Sequence, residues 1–182
     1  MLTISKNKNL FLASILLILI GGIGYLVYDY YKLLDYTNGD QIGELVIPDV
    51  KGKPLALSSL KGNIVLVHFW AAWCGPCRME NRELTTLYNQ YHDIEFEKAK
   101  GFEIYSISLD YDRKFWLQAI EQDGLVWPSH VSTLQGFDSE VAQRFGVRSI
   151  PASILIDQDG MIIGSNLLPY QLEKILQKRI TR

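Results

Sequence analysis

The chain has 182 residues, 48% of them hydrophobic, enough for one domain with a sizeable core plus a short extra segment. A formal charge of −2 without any long basic run argues against nucleic-acid binding. No Gly-rich phosphate loop, dinucleotide fingerprint, internal repeat or low-complexity tract is present, so neither a nucleotide nor any other cofactor is expected.

Residues 10–28 carry no charge and, at ~1.5 Å rise per residue, are long enough to cross a bilayer core as a helix. Lys6 and Lys8 precede this run, while Asp29, Lys32, Asp35 and Asp40 follow it. The positive-inside rule therefore places residues 1–9 in the cytoplasm and the rest outside. Tyr25, Tyr28, Tyr30 and Tyr31 fit an aromatic belt at the outer interface. A cleaved signal peptide is the competing reading, with Gly22-Ile23-Gly24 as the cut, but no Ala-x-Ala follows and the run is long for a signal core. No cysteine ends the run, which excludes a lipoprotein anchor, and the absence of a polar face argues against a buried core helix. The expectation is a retained single-pass anchor in the cytoplasmic membrane, with a periplasmic or otherwise extracytoplasmic domain. Lys6 and Lys8 are the only basic residues before Asp29 and no acidic residue precedes it, so the exported part carries −4.

Residues 29–39 read as a polar linker, and residues 40–182 as the domain. Residues 45–57 suggest a small hairpin turning at Lys51-Gly52-Lys53-Pro54, and Ser58 to Gly62 turns into a buried strand over 64–70. Trp70-Ala71-Ala72-Trp73-Cys74-Gly75-Pro76-Cys77 follows, holding both cysteines of the chain, and Arg78 to Tyr91 reads as a helix. Two intervening residues let one thiol form a disulfide with the other, or attack a disulfide the other has opened. A strand that delivers Cys74 to a helix N-terminus favours its thiolate, through the helix dipole. Residues 102–109 are a second strand. Residues 113–122 are a helix offering Phe115, Leu117 and Ile120 to the core. A short helix runs from a cap at Asp138 to a stop at Gly146. Residues 152–157 and 161–164 form a strand, turn and strand, and Gln171 to Arg179 a closing helix. The alternation indicates a three-layer α/β sandwich with a mixed sheet.

Over roughly residues 40–180 the chain resembles the thioredoxin superfamily, specifically its membrane-anchored TlpA/ResA-like thiol-disulfide oxidoreductases. Asp49 to Lys53 and Leu57 to Gly62 are similar to that group's N-terminal hairpin, and Phe69 to Arg78 to its active-site block. Gly146-Val147-Arg148-Ser149-Ile150-Pro151 resembles the loop carrying its cis-proline, Asp157 to Gly160 the following hairpin turn, and 93–145 its helical insertion. The resemblance implies Cys74 as an exposed nucleophile and Cys77 as the resolving thiol. It also implies a cis Pro151 beside them, with the Ile150 backbone pairing with the substrate chain. A fold-stabilising disulfide is a weak alternative because so short a loop restrains little of the unfolded chain. Zinc would need four ligands, and there is no second Cys pair, so no metal is expected.

Glu80, three residues after Cys77 and on the same helix face, matches the ResA-like acid and could handle the Cys77 proton; a solvated surface Glu is the bland alternative. His68 departs from the buried acid of thioredoxins and the Asn common in TlpA-like proteins. It either shares proton transfer with Glu80 or is a hydrogen-bonded structural imidazole. Arg82 departs from a helix-kinking proline. Trp73, Gly75 and Pro76 are expected to dock substrate, Trp70 to lie in the core, His92 and His130 at the surface, and Asp110 in a loop without an assignable role.

Gly75-Pro76 is the dipeptide of reducing thioredoxins. The resemblance implies a reductase for disulfides of exported client proteins, recharged by a membrane thiol-reductant transporter and serving cytochrome c maturation or similar rescue. A DsbA-type oxidase or isomerase is the nearest rival. A peroxidase would need Thr-x-x-Cys, which Ala71-Ala72-Trp73-Cys74 lacks, and a Sco-like metal-delivery module a Cys pair spaced one residue wider.

Overall fold

The computed structural model describes residues 3–31 and 38–181, with side chains for 11–25 and 38–181. The chain divides into two compact units, Met1–Leu33 and Leu34–Arg182. The first is a single helix, α1 (Thr3–Tyr31), whose described side chains are all exposed. Among the described residues no helix is long and apolar enough to cross a membrane. The anchor expected at 10–28 extends beyond the described side chains at both ends. Tyr28, Tyr30 and Tyr31 of the expected aromatic belt, and residues 32–37 of the expected linker, also lie outside the described side chains.

The second unit opens with the hairpin β1 (Val46–Pro48) and β2 (Pro54–Ala56). Its turn is closed by the Asp49 carboxylate, which accepts the N–H groups of Lys51 (2.7 Å) and Lys53 (2.8 Å). Then come β3 (Ile64–Trp70), α2 (Gly75–Tyr91), β4 (Phe102–Ser108) and α3 (Arg113–Gln122). The chain continues through β5 (His130–Ser132), α4 (Glu140–Arg144), β6 (Ala152–Ile156), β7 (Ile162–Ser165) and α5 (Pro169–Arg179). One mixed sheet has the order β5-β4-β3-β6-β7, with β3, β4 and β5 parallel, β6 antiparallel to β3, and β7 antiparallel to β6. All seven residues of β3 are buried, as a central strand covered on both faces requires.

Alternation along β3 feeds two cores. Ile64, Leu66 and Trp70 face α2, α3 and α5, where they meet Leu84, Leu87, Trp116, Leu172 and Leu176. Val65, Val67 and Phe69 face α4 and the N-terminal hairpin, where they meet Ile47, Val141 and Phe145. This is the three-layer sandwich expected, with four corrections.

The stretch 93–145 is not merely a helical insertion, since β4 and β5 within it are strands of the main sheet. The cap of α4 is Ser139, not Asp138: its buried hydroxyl accepts the Ala142 N–H and donates to the Gly136 carbonyl, and Asp138 ends a 3-10 turn. Gly146 does stop that helix, at φ 61°, where the left-handed conformation suits glycine. In α3 the Asp112 cap sets a phase that buries Trp116 and Ala119 and leaves Phe115 60% exposed, against the core role expected for Phe115.

The fourth correction is His130, which is only 4% exposed because β5 adds an edge strand to β4 and pairs His130 with Ser106. Its ring packs 5.3 Å from that of Trp127. His92 is half-buried rather than free, stacked on Tyr88 at 4.9 Å with Nδ1 2.9 Å from the Asp93 carboxylate.

Burial pushes the His130 imidazole down to about 4, from an ordinary 6.5. Between those values the unfolded chain takes up the proton more readily than the folded one, so stability falls as pH drops from about 6.5 toward 4. The loss is on the order of 3 kcal/mol for a shift of this size. Urea midpoints across that range check this: His130→Asn should flatten the slope, and an equal slope in both proteins contradicts the assignment.

Candidate active site

Strand β3 ends at Trp70, and after four intervening residues α2 begins at Gly75. Cys74 is the N-cap residue of α2: its Sγ accepts the Cys77 N–H at 3.2 Å, and Pro76 in the first turn needs no hydrogen-bond acceptor. Cys74 and Cys77 form a disulfide, with Cα atoms 5.3 Å apart. Cys77 is fully buried and Cys74 is 5% exposed, so the expected exposed nucleophile is nearly closed over in the disulfide form. The physical reason is its neighbour: Sγ of Cys74 lies 3.7 Å from the carbonyl oxygen of Ile150, whose bond to Pro151 is cis. Trp73, Gly75 and Pro76 are exposed around the pair, whereas Trp70 is fully buried. Trp73, Cys74, Gly75, Pro76, Ile150 and Pro151 thus meet at one place on the surface, with Cys77 buried behind Cys74.

The loop between β3 and α2 is held at Ala72 on both backbone groups. The Ala72 N–H donates to both carboxylate oxygens of Asp110, at 3.1 and 2.9 Å. The Ala72 carbonyl accepts from Nη1 of Arg78 at 3.3 Å, and the rest of that guanidinium pairs with Asp123. Asp110 is 2% exposed and sits beyond the C-terminal end of β4; it also accepts from the Ser108 hydroxyl at 2.8 Å. Burial raises its pKa, opposed by the Ala72 N–H, the Ser108 hydroxyl and the Arg78 charge. Asp110 therefore has the role that the sequence left open, as a positioning residue for the redox loop. A carboxylate just past a parallel strand, where α/β sites gather, was the signal.

Behind the disulfide lies a buried polar layer. His68 Nε2 is 3.4 Å from Glu80 Oε2, with the histidine side chain fully buried and the glutamate 15% exposed, so Glu80 is not a solvated surface residue. Strand register sets Ser153, His68, Ser106 and His130 side by side across β6, β3, β4 and β5. Asn81, on α2, is fully buried. Helix α2 runs as one unbroken helix past Arg82. Among the described residues no group of three or more His, Cys, Asp or Glu side chains is placed to hold a metal ion.

The model for the AhpC/TSA family matches residues 38–165. The chain belongs to this family. Its curated relatives include the thiol-disulfide oxidoreductase ResA of Bacillus thuringiensis subsp. konkukian, 33% identical over 178 residues, which are 95% of this chain and 97% of that one. The ResA of Bacillus subtilis is 29% identical over 161 residues, covering 87% and 84%. Among solved structures, the thioredoxin domain of a thiol-disulfide oxidoreductase from Bacteroides vulgatus superposes with a TM-score of 0.71 at 31% identity, covering 81% of this chain and 100% of that one. A thiol-disulfide oxidoreductase from Bacteroides fragilis gives 0.68 at 31% identity, covering 76% and 98%. This family member has the thioredoxin-like α/β fold and is a thiol-disulfide oxidoreductase.

Removing the Asp110 acceptor tests its role. Asp110→Ala leaves the Ala72 N–H without a partner in a half-buried loop, at a cost of about 1–3 kcal/mol. Amide exchange at Ala72 should then be faster by an order of magnitude or more, and an unchanged exchange rate would remove Asp110 from the role.

Proposed function

We propose that this oxidoreductase reduces disulfides of exported client proteins outside the cytoplasm, tethered to the cytoplasmic membrane by residues 10–28. The observation that carries the redox part is the Cys74–Cys77 disulfide at the N-terminus of α2, beside the cis Ile150–Pro151 bond. The tether is supported by the uncharged run within a 29-residue helix, preceded by Lys6 and Lys8. The reducing direction is supported by Gly75-Pro76 and by the ResA relatives.

In the reduced enzyme the α2 dipole and the Cys77 N–H stabilise the Cys74 thiolate. That thiolate attacks one sulfur of the client disulfide, forming a mixed disulfide; the other client sulfur leaves as a thiolate and takes a proton. Cys77 then gives up its proton and attacks Cys74 Sγ. The second client thiolate departs and is protonated, leaving the enzyme disulfide. Two electrons have passed to the client, and a membrane thiol-reductant transporter returns two electrons with two protons. Glu80 lies one helical turn from Cys77 and contacts His68 of β3, and in this reading the pair takes the proton Cys77 must lose in a low-dielectric site. Ile150 offers its backbone to the client chain, and Trp73, Gly75 and Pro76 form the surface around the attack. Clients in cytochrome c maturation fit this chemistry.

Trapping tests the proposal. Cys77→Ser should accumulate a mixed disulfide between Cys74 and a client, and Cys74→Ser should accumulate none and fall to background turnover. Adducts through Cys77 instead would contradict the assignment. In His68→Asn the pH profile of the resolving step should shift, and an unchanged profile removes His68 from proton transfer.

A further inference from the structure

A groove of about 440 Å³ opens beside the nucleophile, lined among others by Ala72, Trp73, Tyr111, Phe115, Ala119 and Gln122. It is walled by the redox loop, the β4–α3 turn and the first turns of α3. Trp73, Tyr111 and Phe115 are 57%, 60% and 60% exposed, three large aromatic side chains held in water at one place. Two of them are not loosely held. The Tyr111 ring lies against Gly136, where any Cβ would overlap it, and Trp73 packs 6.3 Å from Phe137.

The charged groups of the groove are already hydrogen-bonded within the protein. Asp110 is committed to Ala72 and Ser108, Arg78 to Asp123 and Gln122, and Asp112 to the Lys114 N–H that it caps. The exposed lining is mostly apolar, and the volume falls in the range of pockets that bind apolar groups. The groove is also continuous with the redox centre: Trp73, one of its walls, directly precedes Cys74. An extended chain advances about 3.4 Å per residue. A client whose sulfur meets Cys74 therefore places its residues one to three positions away within reach of Trp73, Tyr111 and Phe115.

Building on the redox reading above, we propose that this groove is a specificity subsite for a large aromatic or aliphatic side chain carried one to three residues from the reactive cysteine of an extended client segment. Aromatic anchors of this type carry much of the binding energy at protein interfaces. The groove selects among disulfides by the side chain next to them.

The test uses the full chain and two synthetic peptides, each bearing a glutathione mixed disulfide on its cysteine. In one the flanking residues two positions away are Trp or Leu, and in the other Ser. Wild-type kcat/KM should favour the apolar peptide by about tenfold, the equivalent of one well-buried anchor. Phe115→Ser and, independently, Tyr111→Ser should bring that ratio close to one. Val126→Ser, an exposed apolar residue off the groove, should keep it. Equal rates on both peptides in the wild type, or an unchanged ratio in both groove variants, would overturn the proposal. Failure of the redox reading shows differently, as no turnover of either peptide or of glutathione disulfide. In that case labelled peptides with Ala in place of Cys still report on the groove by fluorescence anisotropy, where equal affinity for both overturns it. Self-association of the full chain that Phe115→Ser abolishes would assign the groove to a second copy and likewise overturn it.

Discussion

The chemistry of this protein depends on how four residues are held between the end of β3 and the start of α2. Trp70 is locked into the core, and from there the chain must turn so that Cys74 caps a helix instead of extending the sheet. Ala72 is the fixed point of that turn, its N–H on Asp110 and its carbonyl on Arg78. The two anchors come from different places: Asp110 from the end of β4, Arg78 from α2 itself, steadied by Asp123 just past α3. Sheet, helix and loop are therefore tied together within one turn of the sulfur that reacts. A short, tight clamp of this kind fixes the direction in which Cys74 presents its sulfur and leaves Trp73 exposed beside it.

A second constraint lies behind the sulfurs. The face of β3 that packs on α2 is apolar at Ile64, Leu66 and Trp70 and polar at one position, His68. Placing an imidazole there draws Glu80 inward from α2, and register brings Ser106 and His130 alongside. Buried polar groups cost stability unless they serve a partner or a reaction. Glu80 stands one helical turn from the buried Cys77, and the proposed proton transfer would give that cost a use.

Much of this was legible in the sequence because the strongest signals are local. The Cys pair, the apolar run before it and the helical run after it specify the strand–loop–helix unit without tertiary information, and Gly146 and the Asp157 turn mark their own positions. Other features are not local. Asp110 meets Ala72 across 38 residues of chain, so nothing adjacent to either announces the contact. Strand β5 is three residues long, too short for alternation to reveal, so nothing local marks His130 as buried. Hydrophobicity alone points Phe115 to the core, but the Asp112 cap sets the helix phase and gives the inward position to Trp116. The same displacement puts Phe115 at the rim of the groove beside Cys74, where an aromatic residue has a different purpose.

The reading as a reductase rests on the balance between dithiol and disulfide forms, and that balance is directly measurable. The midpoint potential of the Cys74–Cys77 pair, obtained by equilibrating the full chain against defined glutathione or dithiothreitol ratios and counting free thiols, tests the central claim. A value near about −270 mV is the expected result for a pair that donates electrons to exported clients. A value near about −120 mV would make the protein an oxidant and contradict the account.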